Sequence, residues 1–156
     1  MDYSDHCCYG WVFYSYGSTI IHRKMKIGIT ASTFDLLHAG HVLMLKEAKE
    51  VCDYLICALH VDPSLERPTK NRPVQTLYER FVQLEAVKYV DKIIPYQTED
   101  ELKNILLTNN INVRIIGEDY AGKPFTGDEL KDIKIYYNNR KHTYSSTELR
   151  KRIKGE

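Results

Sequence analysis

The chain has 156 residues, with 22 Lys and Arg against 21 Asp and Glu and a formal net charge of +1. That length holds one domain with a real core, and so balanced a charge gives no field to steer the protein to nucleic acid or a membrane surface. No apolar run approaches the roughly 20 residues that span a bilayer. Cys7, Cys8, Cys52 and Cys57 form neither a metal spacing nor a disulfide framework, which fits a reducing cytoplasm.

Residues 1–24 read differently from the rest. They hold Tyr3, Tyr9, Tyr14, Tyr16, the single Trp11 and the Cys pair with no clear period, and lack the charged start and apolar centre of a secretory signal. They are expected to be a disordered or added leader, with an aromatic arm packed on a partner subunit as the alternative. The domain is expected over residues 25–156.

Met25 opens a strand pattern, Lys26-Ile27-Gly28-Ile29-Thr30, which runs into the polar turn Thr33-Phe34-Asp35-Leu36-Leu37-His38-Ala39-Gly40-His41. From Val42 the apolar positions fall mainly on one helical face. Tyr54 to Leu59 reads as a buried strand, completing a βαβ unit with its usual right-handed crossover. Residues 62–74 are a loop with Pro63, Pro68 and Pro73 that carries Arg67, Lys70 and Arg72. Leu77, Phe81, Leu84 and Val87 predict a second helix, with Arg80 in its first turns. A strand at residues 92–95, a helix at 100–108, strands at 113–117 and 133–137 and a helix starting near Thr147 follow. The alternation predicts an α/β fold, a single doubly wound Rossmann-like domain with a mostly parallel five-stranded sheet.

Two histidines three apart at a helix start, around Gly40, offer an anion site, because unpaired N–H groups and the helix dipole both attract negative charge. The alternative is a helix that merely begins with His. Zinc would need a third protein ligand, and His60, Cys52 and Cys57 lie in core-like runs, so no metal site is assigned. This turn, the loop through Lys70 and residues 140–147 are expected at one edge of the sheet, where a triphosphate with its magnesium fits. Neither a P-loop nor a dinucleotide fingerprint is present. Taken singly, Lys70 and Arg72 read equally well as solvated charges, Ser145 to Thr147 as a helix cap, Arg80 as a helix-surface residue and Asp35 as a local cap of the turn.

The turn, together with Ala48 to Ile56, resembles the nucleotidyltransferase superfamily with the HxGH signature. Lys88-Tyr89-Val90-Asp91-Lys92-Ile93-Ile94-Pro95, Gly117-Glu118-Asp119-Tyr120 and Ser145-Ser146-Thr147 resemble its glycerol-3-phosphate cytidylyltransferase-like branch. The resemblance runs from about Met25 to Ile153. It implies in-line attack by a substrate phosphate oxygen on the α-phosphorus of a magnesium nucleoside triphosphate, CTP in the first reading, with release of pyrophosphate and no covalent enzyme intermediate. By position it implies that His38 and His41 stabilise the phosphates, that Lys70 reaches the α-phosphate or substrate phosphate, and that Arg140, Ser145, Ser146 and Thr147 grip the β- and γ-phosphates. Thr33, Phe34 and Gly40 would line the nucleotide site, with Asp35 supporting the turn. Gly117, Glu118, Asp119 and Tyr120 would lie near base and ribose, and Asp62 and Arg80 near the substrate. A homodimer is also implied.

Several positions depart from the family pattern. Ser32 stands for the usual Gly before Thr-Phe-Asp, and Lys88 stands for an Arg, losing its bidentate fork. Lys141-His142-Thr143-Tyr144 replaces Thr-Glu-Gly-Ile and moves two donors towards the triphosphate. Between Pro95 and Leu102 there is neither the Trp nor the Lys that helps hold glycerol phosphate, and Lys103 is one residue off. Lys70-Asn71-Arg72-Pro73-Val74 also resembles adenylyltransferases acting on sugar phosphates. The first reading is a cytidylyltransferase that makes a CDP-activated small alcohol, most simply CDP-glycerol. The alternatives are an adenylyltransferase using ATP and a sugar phosphate or related monoester, and a non-catalytic nucleotide-binding or assembly module.

Overall fold

The structure, a computed structural model, describes residues 11–16, 19–139 and 141–155. Of the expected leader, strands β1 (Trp11–Tyr16) and β2 (Thr19–Lys24) pair antiparallel as a sheet of their own, from Trp11 opposite Lys24 to Tyr16 opposite Thr19. Cys7 and Cys8 lie outside the described residues. The Arg23 guanidinium grips both oxygens of Asp53, whose carboxyl is held below its usual range chiefly by that bond.

The main sheet contains β3 (Ile27–Ser32), β4 (Tyr54–His60), β5 (Lys92–Tyr96), β6 (Val113–Gly117) and β7 (Lys134–Asn138). Its order is β5-β4-β3-β6-β7, and every pairing is parallel. The chain winds outward from β3 to β5, then returns to place β6 on the other side of β3. The crevice at this reversal is where open α/β sheets bind ligands.

β4 explains the two layers. Its side chains alternate between faces: Leu55, Cys57 and Leu59 join the core under α1 (Ala39–Glu50) and α2 (Leu77–Glu85), while Ile56 and Ala58 join the core under α3 (Glu99–Thr108). Burial on both sides accounts for its unbroken apolar run. Burial on β4 raises the pKa of the Cys57 thiol, and burial just after α1 pushes that of Cys52 up to about 11, so both stay protonated packing groups.

Local chemistry sets the helix starts. α2 and α3 each begin with a capping box, Thr76 with Glu79 and Thr98 with Glu101. α4 (Ser146–Lys154) starts at the Ser145 cap and ends on Gly155 in the left-handed region. α1 starts three residues before the first apolar position used to predict it, because His38 itself is the cap: its Nδ1 accepts the Gly40 N–H at 3.0 Å. Among the described residues, no helix is long and apolar enough to cross a membrane.

Candidate active site

The turn between β3 and α1 is strained. Phe34 and Leu36 have φ of 50° and 52°, a region that side-chain-bearing residues rarely adopt. Buried Phe34 and Asp35 hold that shape. Asp35 accepts the N–H groups of Val74 at 3.0 Å and Gln75 at 2.9 Å, and its other oxygen meets the Arg150 guanidinium of α4 at 2.5 Å. One carboxylate therefore joins the turn, the end of the loop before α2, and the C-terminal helix.

The strained turn presents two stacked imidazoles, His38 and His41, with ring centroids 4.0 Å apart. Because His38 Nδ1 accepts from Gly40, its proton sits on Nε2, which lies 3.2 Å from Ser146 Oγ. That hydroxyl in turn donates to the Asp35 carbonyl at 3.2 Å. The segment before α4 packs onto the same turn, and Gly40 makes room for it. A Cβ there would sit 2.8 Å from the Tyr144 carbonyl oxygen and 2.9 Å from His142 Cε1. His142 thus lies beside the histidine pair, as the substitution of the family segment suggested.

These groups line one cavity of about 890 Å³. Thr33, Phe34, Asp35, His38, Gly40, His41, Lys70, Ser145, Ser146 and Thr147 all face it, as do Gly117, Asp119 and Tyr120. Arg140 lies outside the described residues. Glu118 is exposed and not part of the wall.

Two expected substrate contacts are placed elsewhere. Arg80 is only 2% exposed, and its guanidinium donates to the carbonyls of Gln75, Thr33, His60 and Val61 at 2.7 to 3.2 Å. It clamps the turn to the end of β4 and does not line the cavity, because main-chain oxygens take up its donors. Asp62 is outside the wall as well: it caps the short 3₁₀ turn Pro63–Leu65 through Ser64, and those hydrogen bonds hold its pKa below the usual carboxylate range. The loop expected over residues 62–74 thus begins with an ordered turn.

Sequence reasoning missed Arg150, which has no local signal on an exposed helix face. It also missed the far end of the cavity. There His60 and Tyr96, the last residues of β4 and β5, and Arg114, the second residue of β6, are buried, with Glu99, Arg67 and Thr126 around them. A polar residue inside an otherwise apolar strand run, such as Arg114 in Val113-Arg114-Ile115, was the available signal.

The model of the Cytidylyltransferase-like family matches residues 29–152, which spans the strained turn, the sheet and the start of α4. Among curated relatives, the glycerol-3-phosphate cytidylyltransferase of Bacillus subtilis is 35% identical over 132 residues, covering 84% of this chain and 99% of its own. That of Staphylococcus aureus is 33% identical over 137 residues, covering 85% and 98%. Among solved structures, the lipopolysaccharide core biosynthesis protein of Thermoplasma volcanium superposes with a TM-score of 0.62 at 25% identity, covering 76% of this chain and 99% of that one. The parallel five-stranded order, the histidine-bearing turn at its reversal point and these matches agree: the chain belongs to the Cytidylyltransferase-like family.

Proposed function

We propose that the protein transfers CMP from CTP to a small phosphorylated alcohol, most simply glycerol 3-phosphate, releasing pyrophosphate. The observation that carries this reading is the stacked His38–His41 pair on a strained turn at the sheet's reversal point, braced by Ser146. Relatives carrying that name match this chain over nearly their whole length.

An acceptor phosphate oxygen attacks the α-phosphorus in line; the new P–O bond forms as the bond to the β-phosphate oxygen breaks and its electron pair leaves with pyrophosphate. Charge grows on the phosphoryl oxygens, and the imidazole N–H donors of His38 and His41 stabilise it. The exposed Lys70 follows the reacting phosphates from its loop, while the hydroxyls of Ser145 and Thr147, with Arg140, hold the β- and γ-phosphates. Positioning by a pre-strained turn means that little reorganisation is needed during reaction.

Magnesium enters with the nucleotide. Asp35 has its oxygens taken up by protein donors, so this part of the wall offers imidazoles and hydroxyls, a set that fits phosphate oxygens and leaves the cation to the triphosphate. When bound, the metal neutralises phosphate charge.

The unit carrying this activity is residues 25–156. Pairing with a second copy is supported by the exposed apolar side chains of Tyr78 and Val82 on one face of α2, next to exposed Val74. Buried free thiols suit a reducing, cytoplasmic setting.

The test is pyrophosphate release with magnesium, crossing CTP and ATP against glycerol 3-phosphate, sugar phosphates and phosphocholine. Turnover with CTP and glycerol 3-phosphate is expected. Turnover only with ATP and a sugar phosphate would replace the reading with an adenylyltransferase.

A further inference from the structure

The far end of the cavity is built from polar groups that the protein leaves unsatisfied. His60 is 3% exposed, yet neither ring nitrogen has a hydrogen-bond partner among the described residues. Its ring leans on Tyr96, with centroids 4.5 Å apart. Arg114 is 5% exposed; its Nη1 donates to the Thr126 carbonyl, while Nε has no partner. A buried polar group without a partner is destabilising, and these line the same cavity as the histidine pair.

Beside them, Glu99 accepts the Thr126 hydroxyl and pairs with Arg67, and its N–H donates to Glu66 at 3.1 Å. Ligating atoms of His60, Glu66 and Glu99 lie within 4.8 Å of one another. A divalent cation suits this trio poorly, since Arg67 already neutralises Glu99. A hydroxyl suits it well. It both donates and accepts, as a neutral imidazole does, and it can donate to a carboxylate while accepting from a guanidinium.

We propose that His60, Glu99 and Arg114 form a hydroxyl-reading subsite, so that the acceptor is a phosphate monoester of a polyol with at least two free hydroxyls. This rests on the phosphoryl-acceptor reading above and specifies the non-phosphate half of the acceptor. His60 is its specificity-determining residue. Burial and Arg67 hold the imidazole below its ordinary pKa, which keeps it neutral and able to accept as well as donate.

The experiment compares glycerol 3-phosphate, its terminal-deoxy analogue and propyl phosphate, by calorimetric binding to the CTP complex without magnesium and by turnover with it. Affinity is expected to fall by roughly 10-fold or more with each hydroxyl removed, since a site built for a hydroxyl rejects the analogue lacking it. His60→Leu is expected to flatten that series while CTP affinity holds and the melting temperature does not fall, and His60→Gln to restore part of it. Equal binding of the three probes, or a full series in folded His60→Leu, would overturn the subsite even if CMP transfer proceeds. A graded binding series with no turnover would support the subsite and overturn the transfer reaction instead.

Discussion

The Arg150 guanidinium meets the Asp35 carboxylate at 2.5 Å across 115 positions of sequence. Asp35 is nearly buried and also accepts two main-chain N–H groups from the segment before α2. Asp35→Ala would leave Arg150 and both N–H groups unpaired, so a loss of about 3 kcal/mol is expected. Arg150→Ala should cost about 1 kcal/mol, because Asp35 keeps its N–H donors. Urea unfolding of both variants measures this, and equal effects would contradict the hub role.

His41 stacks on His38 and meets the Phe34 ring edge at the cavity wall. His41→Ala is expected to lower turnover by roughly 100-fold or more, as loss of a transition-state donor does. Near-normal turnover in steady-state pyrophosphate release would remove His41 from the reaction.

Gly40 is the contact point between α1 and the segment before α4. Gly40→Ala places a methyl 2.8 Å from a main-chain oxygen, which cannot move aside as a side chain would. The segment carrying His142 to Ser146 must then lift off the histidine pair. A misplacement of about 1 Å predicts roughly 100-fold slower turnover, with faster proteolysis near residue 144 as the structural readout.

Lys70 and Arg80 should separate function from folding. Exposed Lys70 has little to lose in stability, so Lys70→Ala should shift unfolding by less than about 0.5 kcal/mol while slowing turnover or weakening substrate binding. Arg80→Leu strips donors from four carbonyls, that of His60 buried and the others part-buried, and should cost about 3 kcal/mol or more. Thermal unfolding beside initial rates tests the contrast.

His60 gives a pH signature. Desolvation and Arg67 lower its pKa, with Arg80 adding to the fall and Glu66 and Asp62 opposing it. Below the ordinary value of about 6.5 the unfolded chain takes a proton that the folded chain refuses. His60 therefore contributes stability above that pH and loses it as the pH drops towards its folded pKa. As the pH falls below about 6.5, wild type should lose stability more steeply than His60→Gln, by denaturant titration at each pH. Parallel curves would place a charged imidazole in the cavity.

The sequence by itself was enough for the elements of the main sheet and its helices and for the turn from Thr33 to His41, whereas the β1–β2 pairing lies in the stretch expected to be a disordered or added leader. Period-two and helical patterns, Thr76 and Thr98 with their Glu partners, and the compact turn from Thr33 to His41 are local, so their chemistry is written within a few residues. The alternation of strands and helices was enough to predict the doubly wound sheet, which the structure refines to an all-parallel order. What only the tertiary structure decided is which polar residues meet. Arg80 looks like any amphipathic-helix arginine until the turn and the end of β4 close over it. Arg150 looks like a solvated charge until α4 folds back onto Asp35. His60, Tyr96 and Arg114 come from β4, β5 and β6, which only the β3-centred strand order brings to one cavity, and the buried, partnerless nitrogens of His60 and Arg114 are a property of that assembled cavity. Local propensity acts over one or two turns of chain, whereas the contacts of Arg80 with the end of β4 and of Arg150 with Asp35 join positions 19 to 115 apart.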